Sequence, residues 1–241
     1  MRIAVCYRGH LRTVSQTFES HRQYLFNIFK DQDIDFFCHT WNAYNDQIDF
    51  VKNVINPKRI LVEDAKSLEK NPYNSLTVSN KCFEKNYNKD KQVDRLIRPY
   101  NTLSLWYSCN KVNSLRKEYS QSKGISYDWV IDMRPDLLFN TQFNYDELEH
   151  DKLNASWWNT LGIQALIPND HIAISKESVI DCYSDAFLYI PAYYFNQNVV
   201  MIPENVLKCH LESSAIEVKM LNLSHSMIRV DGYFDGGEID K

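Results

Sequence analysis

The sequence predicts an α/β fold, a mostly parallel sheet with helices on both faces, within one domain spanning 1–241. Three observations lead there. Arg2 to Tyr7, Ile34 to Cys38 and Ile60 to Val62 are short β-branched or aromatic runs bounded by turn residues. Between the first two, Val14, Phe18, His21, Leu25 and Phe29 recur at helical spacing. Strand, helix and strand in alternation favour right-handed crossovers in a parallel sheet.

Each element follows in turn. The first strand runs into the polar turn RGHLR, and the second closes in HTWN. Asn56-Pro57 introduces the third strand. The stretch 64–98, rich in Asn and Lys with weak periodicity, reads as a long loop or small annex. After Pro99 a helix is expected, its apolar stripe formed by Leu105, Cys109, Val112, Leu115 and Tyr119. Trp129 to Met133 reads as a central strand that Pro135 must end, because proline has no N–H to donate to a ladder. A helix from about Lys176 carries Val179, Cys182, Tyr183, Ala186, Phe187 and Ile190 on one stripe. PENVLKCHLESS reads as another, with Pro203 suited to its first turn and Glu204 facing the positive end of its dipole. Extended runs at 216–220 and 227–230 close the chain.

Composition excludes several functions. With 27 Lys plus Arg against 31 Asp plus Glu, and no basic run, a nucleic-acid or anionic-membrane surface is not expected. Only 6 glycines are present, and none forms a Walker A loop or a GxGxxG turn, so P-loop and standard dinucleotide sites are excluded. No GxSxG, HExxH or CxxC occurs. The six cysteines are scattered, most of them in apolar stretches, as expected of buried thiols in a reducing compartment. No apolar run is long enough for a membrane span, and the amino terminus does not read as a signal peptide, so a cytoplasmic protein is expected.

The residues that could carry chemistry lie at strand ends, where open α/β sheets bind ligands. Asp132-Met133-Arg134-Pro135-Asp136 places two carboxylates around an arginine where the central ladder must break. Oxygen ligands of that kind suit Mg²⁺ or Mn²⁺, with a diphosphate alongside. The same residues also fit a solvated strand end in which Asp132 and Asp136 simply pair with Arg134. Arg8, Gly9, His10 and Arg12 put guanidinium forks and a flexible backbone at the first strand's end. His39, Thr40 and Trp41 close the second strand, within range of a base or ribose. Trp157, Trp158, Tyr193 and Tyr194 could offer a stacking surface to a sugar ring, or fill the core.

In their order along the chain, RGHLR, FFCHTWN, SLWYS, YDWVIDMRPDLLF, NDHIAIS and PENVLKCHL resemble the small glycosyltransferases of large algal viruses and bacterial surface-polysaccharide loci. The likeness covers about Arg2 to Arg229, and YDWVIDMRPDLLF is its most specific part. It implies a Rossmann-type GT-A fold and a UDP- or GDP-linked sugar as donor. It also implies Mn²⁺- or Mg²⁺-assisted transfer to a glycan acceptor hydroxyl in the cytoplasm (the host's, for a viral protein). By that likeness Asp136, with Asp132, holds the metal and Arg134 the diphosphate. The segments Arg8 to Arg12 and His39 to Trp41 line the nucleotide pocket, with Tyr107 beneath the donor. An inverting enzyme needs a carboxylate base, for which Asp170 is the first candidate and Glu204 the second. A sugar nucleotidyltransferase and a non-catalytic nucleotide-sugar or glycan binder are the alternatives.

Overall fold

The computed structural model describes residues 1–64, 99–157, 168–229 and 234–235. Residues 65–98 of the expected 64–98 loop, and Trp158, lie outside them. Strand β1 (Arg2–Arg8) leads into helix α1 (Val14–Ser20), which relaxes into a π-helical turn (His21–Phe26) and a 3₁₀ turn (Asn27–Phe29). Val14, His21, Leu25 and Phe29 of the expected stripe are buried and Phe18 is partly so. Strand β2 (Asp33–Trp41) follows, then helix α2 (Asn45–Phe50) with its own π extension (Val51–Ile55), and β3 (Arg59–Glu63).

Helix α3 (Pro99–Lys123) precedes β4 (Trp129–Met133), β5 (Leu137–Phe139), β6 (Leu153–Trp157) and β7 (Pro168–Ser175). The helix expected from Lys176 is two, α4 (Glu177–Ser184) and α5 (Ala186–Gln197), joined at Asp185. Helix α6 (Pro203–Ser213) and strands β8 (Val218–Leu221), β9 (His225–Ile228) and β10 (Phe234–Asp235) complete the chain.

Seven strands form one sheet in the order β3-β2-β1-β4-β7-β6-β8. The β3-β2-β1-β4 half is parallel throughout, β7 runs antiparallel to both β4 and β6, and β6 pairs parallel with β8. The chain is therefore α/β with a mixed, mostly parallel sheet, as expected. A smaller sheet, β10-β9-β5, stands beside it.

Strand alternation divides the core between the large sheet's two faces. Ala4, Cys6, Phe37 and Val130 pack against α3, α4, α5 and α6, while Ile3, Val5, Ile131 and Ile174 pack against α1, α2 and β5. Helix α3 buries Leu103, Trp106, Cys109 and Val112 together with Asn113, Arg116 and Ser120. Leu105, Leu115 and Tyr119 of the expected stripe are only partly buried. The true buried face turns polar halfway along, where Arg116 donates to Asn113 Oδ1 (2.9 Å) and Glu177 Oε1 (2.5 Å) and pairs with Asp181, clamping α3 to α4. Among the described residues no helix is long and apolar enough to cross a membrane.

Candidate functional site

Parallel β1 lies between β2 and β4, so its carboxyl end and that of β4 open at the place where strand order reverses. Arg8 ends β1 and is buried, 2% exposed. Its Nε donates to Asp132 Oδ1, and one Nη donates to the Asp170 carbonyl and to Tyr183 Oη (3.2 Å). Asp132 is itself fully buried, and Cys109 Sγ faces its second oxygen at 3.6 Å. Burial pushes the Asp132 carboxyl up, against the pull of Arg8. Both oxygens are engaged inside the core, so Asp132 does not fit the expected role of cation ligand. It is the counter-ion that lets an arginine sit within the sheet.

The second acid–arginine pair is built differently. Pro135 ends β4, yet Arg134 N–H still reaches the His171 carbonyl (3.0 Å), so the chain stays on the sheet until Asp136 and then leaves as β5. Arg134 grips Asp136 with a two-toothed fork, Nε to Oδ1 at 2.9 Å and Nη2 to Oδ2 at 2.7 Å. Arg12 Nη1 stands 3.6 Å from the same Oδ2. Burial raises the Asp136 carboxyl, but Arg134, Arg12 and Arg229 outweigh it and hold the group below its ordinary value. Arg229 is brought there by β9, whose Ile228 N–H bonds the Asp136 carbonyl (3.0 Å) and whose Ile228 carbonyl accepts from Thr13 Oγ1 (3.0 Å). Two features shape the facing turn: Gly9 at φ +89°, and Arg12 at φ +30°, an uncommon value for a side-chain-bearing residue. With the Arg134 fork on both of its oxygens and Arg12 beside it, Asp136 does not fit a divalent cation in this arrangement either.

Asp170 and His171 lie on fully buried β7, and Glu204 begins α6 behind Pro203. Glu204 is pushed up to about 7, first by burial and then by the negative charge of Asp170, with Arg134 pulling the other way. Strand pairing of β5 with β9 sets His225 against Phe139, and its Nε2 lies 3.0 Å from His171 Nδ1. Burial drives both imidazoles neutral, His225 to about 4. Of the buried side-chain nitrogens and oxygens among the described residues, four lack a hydrogen-bond partner: His10 Nδ1, Trp106 Nε1, Glu204 Oε2 and His225 Nδ1. Three of these four residues, His10, Glu204 and His225, feel the charge of Arg134. Unsatisfied buried polar atoms are rare, so His10 Nδ1 and Glu204 Oε2, both within the field of Arg134, set this strand end apart; His225 also has a backbone hydrogen bond at Leu223.

No protein-family model matches the chain, and no curated protein matches it. The reading of the site therefore rests on its chemistry.

The β2 end forms a separate cluster. His39 Nδ1 meets Ser108 Oγ at 2.6 Å and its Nε2 meets Glu63 Oε2 at 2.8 Å, while Ser108 Oγ accepts from Gly9 N–H at 2.7 Å. Tyr107 donates to Glu63 (3.1 Å), and its ring stacks on Trp41 with centroids 5.7 Å apart. Burial lowers His39, with Glu63 opposing, and the His39 bond holds Glu63 down. His39, Thr40, Trp41 and Tyr107 are all buried, with Trp41 only 2% exposed, so Trp41 and Tyr107 spend their faces largely on each other. The cluster ties β2, β3 and α3 together beside Gly9. Ser108 is fully buried, which withholds it from any nucleophilic role despite its histidine and glutamate neighbours.

Tyr193 and Tyr194 are core residues, the Tyr193 hydroxyl donating to His210 Nδ1 at 2.8 Å. They offer no face to a sugar. The structure thus brings together Arg12, Arg134, Asp136, Asp170 and Glu204, and places Arg8 and Asp132 beneath them as internal support. It adds His171, His225 and Arg229, which the strand-end argument passed over, and sets His10 of the first turn beside them. His10 stood inside the turn already singled out. His171 sits on β7 beside Asp170, while His225 and Arg229 depend on β9 pairing with β5, a long-range contact that no local spacing announces.

Proposed function

We propose that this chain is a glycosyltransferase of GT-A type, moving a sugar from a nucleotide-sugar donor to a glycan acceptor hydroxyl. One observation carries the reading: the Arg134 fork and the Glu204 carboxyl, raised to about 7 and with Oε2 unpartnered, lie together at the switch point of an α/β sheet. A nucleotide sugar needs both halves of that arrangement. Its diphosphate leaving group gains negative charge as the glycosidic bond breaks, and guanidiniums aimed there stabilise that charge more in the transition state than before it. The acceptor hydroxyl must give up a proton, and a carboxylate raised to about 7 is suited to receive it near neutral pH. Glu204 is therefore the base we assign, with Asp170 as the neighbouring charge that raises it. This reverses the order of preference drawn from the sequence.

The parallel β3-β2-β1-β4 half with its antiparallel neighbour β7 supports a nucleotide-binding fold of this kind. The free, buried thiols of Cys6, Cys38 and Cys109 support a cytoplasmic setting, where donor sugars are made. The test is incubation of the purified protein with UDP- and GDP-sugars and oligosaccharide acceptors. Release of nucleoside diphosphate with formation of a glycoside is the expected result. Exchange of pyrophosphate into a nucleotide sugar would instead indicate nucleotidyl transfer, and binding without turnover would indicate a non-catalytic receptor.

A further inference from the structure

The hydrogen bonds of the β2-end cluster run in one direction. Glu63 closes β3 with its side chain one-fifth exposed, whereas His39 and Ser108 are fully buried. The His39 bond, then the Tyr107 bond and the charge of Lys111, hold Glu63 below its ordinary value. At neutral pH its carboxylate can therefore only accept, and Tyr107 Oη at 3.1 Å and His39 Nε2 at 2.8 Å are its donors. Burial keeps His39 neutral, so with its proton on Nε2 its Nδ1 offers only a lone pair. Ser108 then donates to Nδ1 at 2.6 Å, which leaves the hydroxyl oxygen to accept from the Gly9 N–H at 2.7 Å. Each group has one role, in the order Gly9 N–H, Ser108 hydroxyl, His39 imidazole, Glu63 carboxylate. Serine, histidine and acid make up the composition of a nucleophilic triad, but here the serine oxygen is spent on a backbone N–H.

That backbone N–H belongs to the turn of the candidate site. Gly9 stands at φ +89°, yet a Cβ built there would meet nothing within 4 Å, so glycine serves the backbone angle and not the space. The same N–H also reaches the His39 carbonyl at 3.1 Å. Three residues on, Arg12 takes φ +30° and sets Nη1 3.6 Å from Asp136. A turn with two uncommon backbone angles persists only where its surroundings hold it. On the β2 side the holding atoms are the Ser108 hydroxyl and the His39 carbonyl.

We propose that Ser108, His39 and Glu63 are positioning residues for the turn from Gly9 to Arg12: they orient the Gly9 peptide and through it place Arg12 beside Asp136. The proposal rests on the transferase reading only in taking that turn to serve a nucleotide-sugar donor.

The experiment compares the natural chain with Ser108→Ala, Ser108→Thr and Glu63→Gln by NMR and by donor kinetics. In the natural chain the imidazole signal lost in His39→Gln should show the proton on Nε2; a proton on Nδ1 overturns the proposal. Ser108→Ala should speed hydrogen exchange of the Gly9 amide about fivefold or more while the Val5 amide of β1 stays unchanged. Glu63→Gln, which does not touch the turn, should speed the same amide by less. Ser108→Thr keeps the hydroxyl and should fall between Ser108→Ala and the natural chain. Unchanged Gly9 exchange in Ser108→Ala, with thermal unfolding unaltered, overturns the proposal. A rise throughout β1 would report lost stability, and Glu63→Gln, which keeps the side chain's size, then decides: faster exchange at Gly9 alone supports the relay, and unchanged exchange overturns it. With UDP- or GDP-sugar as donor, Ser108→Ala should raise KM about fivefold and leave kcat within about threefold. A fall in kcat at unchanged KM contradicts a positioning role. If the natural chain turns over no nucleotide sugar, the transferase reading fails, and the His39 proton and Gly9 exchange still decide the relay.

Discussion

Two arginine–aspartate pairs sit within one strand end of each other and have opposite designs. Arg8 and Asp132 are matched one to one, both buried, their remaining hydrogen-bonding atoms facing the Asp170 carbonyl, Tyr183 and Cys109. Arg134 and Asp136 are also matched, but Arg12 Nη1 stands 3.6 Å from the same carboxylate, Arg229 acts on it electrostatically, and Arg134 acts in turn on His10 and Glu204, whose Nδ1 and Oε2 are buried without a hydrogen-bond partner. The first pair is closed by its own neighbours, and the second has further charged groups acting on it. Residue type alone does not separate a structural ion pair from a binding site. The local balance of charges and hydrogen bonds does.

The comparison breaks first at the sealed pair. Asp132→Ala leaves the buried Arg8 guanidinium without a counter-ion and should cost about 3–5 kcal/mol of stability, read by urea denaturation. Removing both charges, as in Arg8→Met with Asp132→Leu, should cost clearly less than that single change. If the losses of the two single variants simply add in the double variant, the pair is not the closed unit described.

At the open pair the effect should fall on turnover. Glu204→Gln should lower the rate of glycoside formation about a hundredfold or more while leaving pyrophosphate affinity within a few-fold. Loss of binding together with rate would move Glu204 from proton transfer to donor binding.

The pH dependence of stability sharpens the contrast. Glu204 is raised from 4.5 to about 7, so between those values the folded state holds a proton that the unfolded chain releases. Its contribution therefore falls as pH rises from about 4.5 to 7 and levels off above. Asp136 runs the other way: its folded value is depressed, so its contribution is present above the ordinary aspartate range and is lost as pH falls through the lowered value. Glu204→Gln should flatten the slope between pH 4.5 and 7 and leave the acid limb intact. An unchanged slope would contradict the raising of Glu204 by burial and by the charge of Asp170.

The smallest effect concerns the aromatic residues. Tyr193→Phe removes a hydrogen bond to buried His210 and should cost about 1–2 kcal/mol, with no change in acceptor kinetics. A raised acceptor KM at unchanged stability would restore the sugar platform the sequence allowed.

Much of the scaffold was legible because it follows local pattern. WVIDM begins and ends as a strand where its apolar run and Pro135 require. PENVLKCHLES becomes a helix opening on proline. Helix α3 was found, but its buried face was misread, because Asn113, Arg116 and Ser120 are polar residues made buriable by partners in α4 and by backbone carbonyls. Helix α2 gave no apolar stripe long enough to notice, as only Gln47 and Ile48 of its six residues are buried. At the site, the strand-end argument singled out Arg12, Arg134 and Asp136, and the need of an inverting enzyme for a base singled out Asp170 and Glu204. It could not tell Asp132 from Asp136, since what separates them is which arginines the tertiary fold delivers. Arg229 arrives on β9 from nearly a hundred residues downstream, beyond the reach of any spacing rule.

The central claim is that the β4 end, at Arg134, receives the phosphates of a nucleotide-sugar donor. A crystal structure of the protein soaked with a nucleoside diphosphate tests it most directly. The account predicts phosphate oxygens within hydrogen-bonding distance of Arg134 and Arg12, with the Arg8–Asp132 pair undisturbed. A diphosphate bound elsewhere, with the Arg134 fork still closed on Asp136, would contradict it.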